Sequence, residues 1–167
     1  MEYILSPKDK DAGARPGACI FCNFPGASPS TFRENLVLAV NEHVAVMLNR
    51  YPFAAGHLLV IPRKHIAHMG DLTGDENDAL FRAVRDVGVR MRELMKPHGL
   101  NYGINEGVAA GAGIAEHLHL HIVPRWSGDT NFMPVIADVR VMPEYLDDAY
   151  RRLYPAFADF PGAAPAP

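Results

Sequence analysis

Long apolar runs, cysteines and an excess of either charge are all scarce in this chain. Nowhere do eighteen apolar residues follow one another, the length a membrane-spanning helix needs, and residues 1–10 hold no apolar run ending in a cleavage signal. A soluble, cytoplasmic protein without a membrane partner is therefore expected. The formal net charge of -3 and the pI near 6.2 give no general attraction to a polyanion. Nucleic acid is thereby disfavoured as a partner, and any phosphate ligand should be small and held locally. Only two cysteines occur, Cys19 and Cys22, spaced C-x-x-C. On its own that pair fits half a zinc site, a redox dithiol or two small buried side chains. A thioredoxin-like motif is disfavoured because Arg15, Pro16 and Gly17 precede the pair instead of a strand, and zinc would need two more ligands.

A chain of 167 residues with 49% hydrophobic content can bury one substantial core, and no linker or repeat divides it. One domain over 1–154 is expected, followed by an irregular Pro- and Ala-rich tail over 155–167 that Phe157 and Phe160 could pin. Strands are expected over 36–40, 44–48 and 57–61, the first two joined by a turn at Asn41 and Glu42, the third closed by Pro62. Thr73 and Glu76 form a capping-box pattern. Behind it Leu80, Val84, Val87, Met91 and Leu94 recur at helical spacing until Pro97 and Gly99, which predicts a long scaffold helix. Strands over 102–104 and 118–123 then flank a loop of small residues, and a short second helix is expected over 143–153. Hairpins with few crossover helices make this an α+β domain on a mainly antiparallel sheet, with one long and one short helix.

Residues 117–125 read His-Leu-His-Leu-His-Ile-Val-Pro-Arg. Alternate residues of a strand project to one face, so His117, His119 and His121 line a single surface while Leu118, Leu120 and Ile122 point the other way. The wet side of the strand would then be packed with groups that titrate near neutrality. At roughly 3.3 Å per residue, the outer two histidines lie about 13 Å apart, too far for all three to converge on one ion, although adjacent pairs can. A division of labour follows, in which one imidazole attacks and its neighbours serve other roles. A plain solvent-facing strand is the alternative; with only eight histidines in the chain, three in strict alternation weigh against it. Ahead of this strand, residues 105–114 read Asn-Glu-Gly-Val-Ala-Ala-Gly-Ala-Gly-Ile. Glycines there permit positive φ and leave backbone N–H groups uncovered, the makings of an anion nest. A dinucleotide fingerprint it is not, because the loop leads into a strand instead of opening a helix. Beside three histidines, such donors suit an imidazole that attacks phosphorus and must have its developing charge met.

These residues resemble the histidine triad family, whose hallmark is alternating histidines on a strand followed by apolar residues. Asn49, Arg50, Tyr51, Pro52, Gly56, His57 and the run to Pro62 are similar to the family's first half-site, and the order of elements from Cys19 to Trp126 fits it. Pro124, Arg125 and Trp126, with the run from Gly128 to Pro134, most resemble the bacterial branch that includes diadenosine tetraphosphate phosphorylases.

The resemblance implies a homodimeric enzyme that cleaves a nucleoside 5′-phosphoryl compound, a diadenosine polyphosphate or an AMP conjugate, through a nucleotidyl-histidine intermediate. His119 matches the nucleophile, His121 the histidine that contacts phosphate and serves the leaving group, and His57 a fourth histidine beside the triad. Asn49 matches the side chain that bonds the ribose, Asn105 and the backbone around Gly111 and Gly113 the phosphate loop, and Trp126 an adenine-side aromatic. Asn49 could equally shape the turn before Pro52, and Trp126 could fill the edge of the core. His43, His68 and His98 match no catalytic position. Bacterial members imply a structural zinc site here made of Cys19, Cys22, His65 and His117, with His68 as the substitute for His65, and no organic cofactor. One departure concerns the acceptor. Gly113, Ile114, Ala115 and Glu116 bring no hydroxyl or amide ahead of the first histidine, and a carboxylate only accepts, so hydrolysis by water is expected over attack by inorganic phosphate. The rival classes are a nucleotide-binding regulatory module with vestigial catalysis and a hydrolase whose chemistry depends directly on zinc.

Overall fold

A computed structural model describes residues 19–129 and 144–162. The Arg15–Pro16–Gly17 run, residues 130–134 of the branch motif, Pro143 and the last five residues of the expected tail lie outside the described residues. In order come helix α1 (Ile20–Gly26), strands β1 (Val37–Val40), β2 (Val44–Leu48) and β3 (Leu58–Pro62), helix α2 (Gly74–Met95), strands β4 (Gly99–Ile104) and β5 (Leu120–Arg125), and helix α3 (Leu146–Leu153). The five strands form one antiparallel sheet in the order β1-β2-β3-β5-β4. This is the expected α+β class, with one short helix more than the sequence predicts. None of the helices among the described residues is long and apolar enough to cross a membrane.

Local chemistry explains the elements. At the β1–β2 turn the Asn41 side-chain oxygen accepts from the N–H groups of His43 and Val44 at 3.0 and 2.9 Å, closing a tight connection. Thr73 caps α2: its hydroxyl accepts from Glu76 N–H at 3.3 Å while the Glu76 carboxylate accepts from Thr73 N–H at 2.8 Å. Lys96, left-handed at φ 49°, ends the helix. Leu80, Val84, Val87 and Met91 are buried as their spacing predicts, but Leu94 is exposed. The last turn half-buries Met95 instead, whose sulfur fills the space beside Gly56.

Alternation along the strands sorts the core into two faces. Val44, Val46, Leu48, Leu58, Val60, Leu120 and Ile122 pack with α2 and α3, whereas Val37, Met47, Leu59 and Ile61 pack with Cys19, Phe21 and Phe32 from the N-terminal segment. Short helix α1 therefore covers the second face. Its seven residues and internal Pro25 give no periodic signal, which is why sequence patterning does not reveal it. Beyond α3, the Arg90 guanidinium lies over the buried Phe157 and Phe160 rings and donates to the Ala156 carbonyl at 2.6 Å. Val40 N–H also donates to the Gly162 carbonyl at 2.8 Å. Residues 155–162 are thus packed against the sheet and α2.

Candidate active site

The strand of histidines begins later than alternation predicts. Leu118 gives its N–H to the Ile66 carbonyl at 2.6 Å, so β5 starts only at Leu120. Nor is the histidine face fully wet: His117 and His119 are 0% and 5% exposed, His121 is half-buried, and the neighbouring His57 is 1% exposed. The expectation of a solvated face is corrected by α1, which seats the Phe21 ring 5.7 Å from the His117 ring and 4.9 Å from the His119 ring.

Hydrogen-bond partners fix which nitrogen of each ring carries the proton. His119 Nδ1 lies 2.8 Å from the His117 carbonyl, and a carbonyl only accepts. The proton therefore sits on Nδ1, and Nε2 keeps its lone pair. Burial pushes the His119 pKa below the usual imidazole value, so the ring is held neutral and nucleophilic. A second chain of bonds starts at Phe53, whose backbone N–H donates to His57 Nδ1 at 3.1 Å. His57 must then carry its proton on Nε2, which donates to His121 Nδ1 at 2.9 Å. His121 in turn keeps its proton on Nε2. That N–H is buried, and among the described residues nothing accepts it. Burial first, then the neighbouring His121 and His119 rings, hold His57 down at about 3, and burial with His119 holds His121 down at about 4. The His119 and His121 ring centroids are 5.0 Å apart. A nucleophilic nitrogen thus stands beside a neutral donor in a water-poor site.

The remaining expected residues are placed unevenly. Asn49, half-buried, holds its amide nitrogen 3.4 Å from both nitrogens of the His57 ring, while its oxygen accepts from Tyr51 N–H at 2.9 Å. Asn105 directly follows the last residue of β4, Ile104, which pairs with Leu120 at the start of β5. The loop beyond does not leave all its donors uncovered. The N–H groups of Ala110, Gly111 and Ala112 bond to the carbonyls of Gly107, Val108 and Gly107, and Gly111, at φ 89°, serves the turn. This corrects the expectation of a nest at those three positions. Trp126 follows β5 directly, in a turn where the Asp129 carboxylate accepts from Trp126 N–H and from the Arg125 guanidinium.

Residues 32–128 match the family model of the HIT domain. The chain belongs to the HIT family. The AP-4-A phosphorylase of Mycobacterium tuberculosis (strain ATCC 25618 / H37Rv) is 38% identical over 164 residues, covering 96% of this chain and 82% of that protein. The asymmetrical bis(5'-nucleosyl)-tetraphosphatase of Schizosaccharomyces pombe is 34% identical over 114 residues, 68% of this chain and 58% of its own. A zinc-bound histidine triad family protein from Mycobacterium smegmatis superposes with a TM-score of 0.65 at 28% identity, over 84% of this chain and 93% of that one.

This HIT chain also gathers four possible metal ligands on the inner side of His117. The ligand atoms of Cys19, Cys22, His65 and His117 all lie within 4.8 Å of one another. His117 Nδ1 is 3.3 Å from Cys19 Sγ, 3.5 Å from Cys22 Sγ and 3.2 Å from His65 Nδ1. Tetrahedral zinc, with bonds of about 2.3 Å to sulfur and 2.0–2.1 Å to nitrogen, needs ligand atoms roughly 3.3–3.8 Å apart. The residues fit. His117 Nε2 donates to the Pro62 carbonyl at 2.9 Å, which leaves Nδ1 unprotonated and facing the cluster. Burial pushes the Cys19 thiol up to about 11, so a cation at the centre is what would ionise it. His68 takes no part: its Nδ1 pairs with the Glu106 carboxylate at 3.0 Å. Sequence reasoning missed Phe21, Phe53 and the Pro62 carbonyl. Two of the three act through backbone atoms, which residue type does not announce; only the aromatic between the two cysteines was a visible signal.

Proposed function

We propose that this HIT protein cleaves a diadenosine polyphosphate, or another AMP conjugate, by passing the nucleotidyl group through His119. The observation that carries this is the pairing of a lone pair on His119 Nε2 with the buried, unpaired N–H of His121. His119 Nε2 attacks the α-phosphorus; a bond from phosphorus to that nitrogen forms as the bond to the leaving oxygen breaks. The His121 N–H, aimed by His57 and Phe53, donates a hydrogen bond to an oxygen of the reacting phosphate, and the leaving group takes any proton it needs from solvent. An acceptor then attacks the phosphorus on the opposite side and releases His119. Asn49 serves the ribose and Asn105 the phosphates, with Gly111 and Gly113 shaping the loop and Trp126 serving a base. Zinc held by Cys19, Cys22, His65 and His117 would supply a structural cross-link.

Water is the acceptor in this reading, since residues 113–116 add no second phosphate-binding side chain. The M. tuberculosis relative's name favours inorganic phosphate as the second reading. A cytoplasmic homodimer completes the proposal, with β4 as the sheet edge that carries the exposed Tyr102. Product identification with diadenosine tetraphosphate and adenosine 5′-phosphoramidate, with and without inorganic phosphate, tests it. AMP marks hydrolysis and ADP phosphorolysis. Tight nucleotide binding with no product from any adenylated compound would replace the enzyme by a binding module.

A further inference from the structure

We propose that Phe21 is a positioning residue for the nucleophile, and that the metal-ligand cluster acts on His119 through it. The inference rests on the reading of His119 as nucleophile. Phe21 stands between the two cysteine ligands in sequence and is 5% exposed. Its ring meets the His117 ligand edge-on, at 5.7 Å and 87°, and lies against the His119 ring at 4.9 Å and 51°. One side chain therefore touches both a metal ligand and the attacking imidazole.

His119 needs such a contact. Among the described residues its hydrogen bond from Nδ1 to the His117 carbonyl holds one edge of the ring, and the His121 ring borders it at 5.0 Å. The packed face against Phe21 adds the contact that ties the direction of the Nε2 lone pair to helix α1. The cost of leaving it loose is large: a misplacement of about 1 Å in a reacting pair can lower a rate by about a hundredfold.

Helix α1 cannot hold Phe21 in place unaided. It is seven residues long, contains Pro25, and its first residue follows Cys19 without any side-chain cap. Around Phe21 its anchors are burial with Phe32, Val37 and Met47 and the Cys19 and Cys22 side chains reaching His117 and His65, while Arg63 donates to the Pro25 carbonyl at the far end of the helix. Closing the cluster around an ion clamps the peptide on either side of Phe21. A metal centre that supplies no chemistry to the reaction then still determines how well the nucleophile is aimed.

The experiment is a two-way cycle, Phe21→Ala against metal removal, on the full chain. Three quantities are read in each corner: bound zinc, kcat and KM, and the imidazole nitrogen NMR signals of His119 at one fixed pH. Phe21→Ala with zinc still bound is expected to lower kcat about tenfold to a hundredfold, with KM within about twofold. It should also turn the single Nδ1–H signature of His119 into a mixture. Zinc removal from the parent protein should produce the same mixture, and removal from the variant should add little to it. Where Phe21→Ala does not fold, Phe21→Leu keeps the apolar volume without the flat ring and is read in the same way. Independent, additive effects, a rise in KM alone, or an unchanged His119 signature would overturn the proposal. The NMR reading needs no substrate, so it stands even if no adenylated compound is turned over; that result would sink the functional reading instead.

Discussion

His57 Nε2 donates to His121 Nδ1 across 2.9 Å, and this one bond decides that His121 faces the site as a donor. Removing it frees His121 to move its proton to Nδ1. His57→Ala is expected to lower kcat about a hundredfold, within the range for loss of one positioned hydrogen-bond donor, while the protein stays folded. His57→Gln, whose amide can still donate to Nδ1, should recover part of the loss. Equal kcat in both variants and the parent would show that the bond is idle.

His119→Ala removes the attacking atom. Turnover is expected to fall by about a thousandfold or more, with nucleotide affinity largely kept, measured by product formation beside equilibrium binding. Undiminished turnover would place the reaction elsewhere.

Acid should destabilise the fold through the buried histidines. His57, 1% exposed, is held near 3 in the folded protein, against about 6.5 in an unfolded chain. Below about 6.5 the unfolded state therefore binds the proton that the folded state refuses. The stabilisation from burying neutral His57 is complete above the unfolded value and falls by about 1.4 kcal/mol per pH unit as pH drops, levelling near the folded value. His121, held near 4, adds in the same direction. Denaturant unfolding between pH 7 and about 4.5 measures the slope, and His57→Gln should reduce it.

Metal binding is expected to be stoichiometric and structural. Cys22→Ser should lower bound zinc and Tm together, read by metal analysis and thermal unfolding. A variant that keeps one zinc per chain would remove Cys22 from the ligand set.

Gly56 adopts φ +72°, and a Cβ there would stand 2.5 Å from Met95 Sδ and 2.8 Å from its Cε. Left-handed backbone alone costs an ordinary residue about 1–2 kcal/mol, so Gly56→Ala should destabilise by at least that. Because Gly56 leads into His57, kcat should fall as well. A stability change under about 0.5 kcal/mol would show that Met95 and the backbone yield freely.

Much of the architecture is legible before any coordinates. The capping pair Thr73 and Glu76, the stripe from Leu80 to Met91 and the strand at Val44–Leu48 are local statements, and each is seen. So is the choice of Cys19, Cys22, His65 and His117 as the candidate ligands. The exposure of the histidine face is read wrongly, because a seven-residue helix with an internal proline leaves no periodic trace. The loop donors at 110–112 are misjudged for a related reason: a glycine-rich loop can turn its N–H groups onto its own carbonyls.

Residue types and their spacing determined by themselves that five strands and a long helix would form and that three histidines would alternate beside the last strand. Only the tertiary structure decided where each imidazole holds its proton. A histidine's role depends on which nitrogen holds the proton, and that follows from partners brought in from elsewhere: the Pro62 carbonyl for His117, 55 positions away, and the His57 N–H for His121, 64 positions away. No local pattern encodes these two protons, because the partners that fix them come from distant parts of the chain; the His119 proton alone is set nearby, by the His117 carbonyl two residues away.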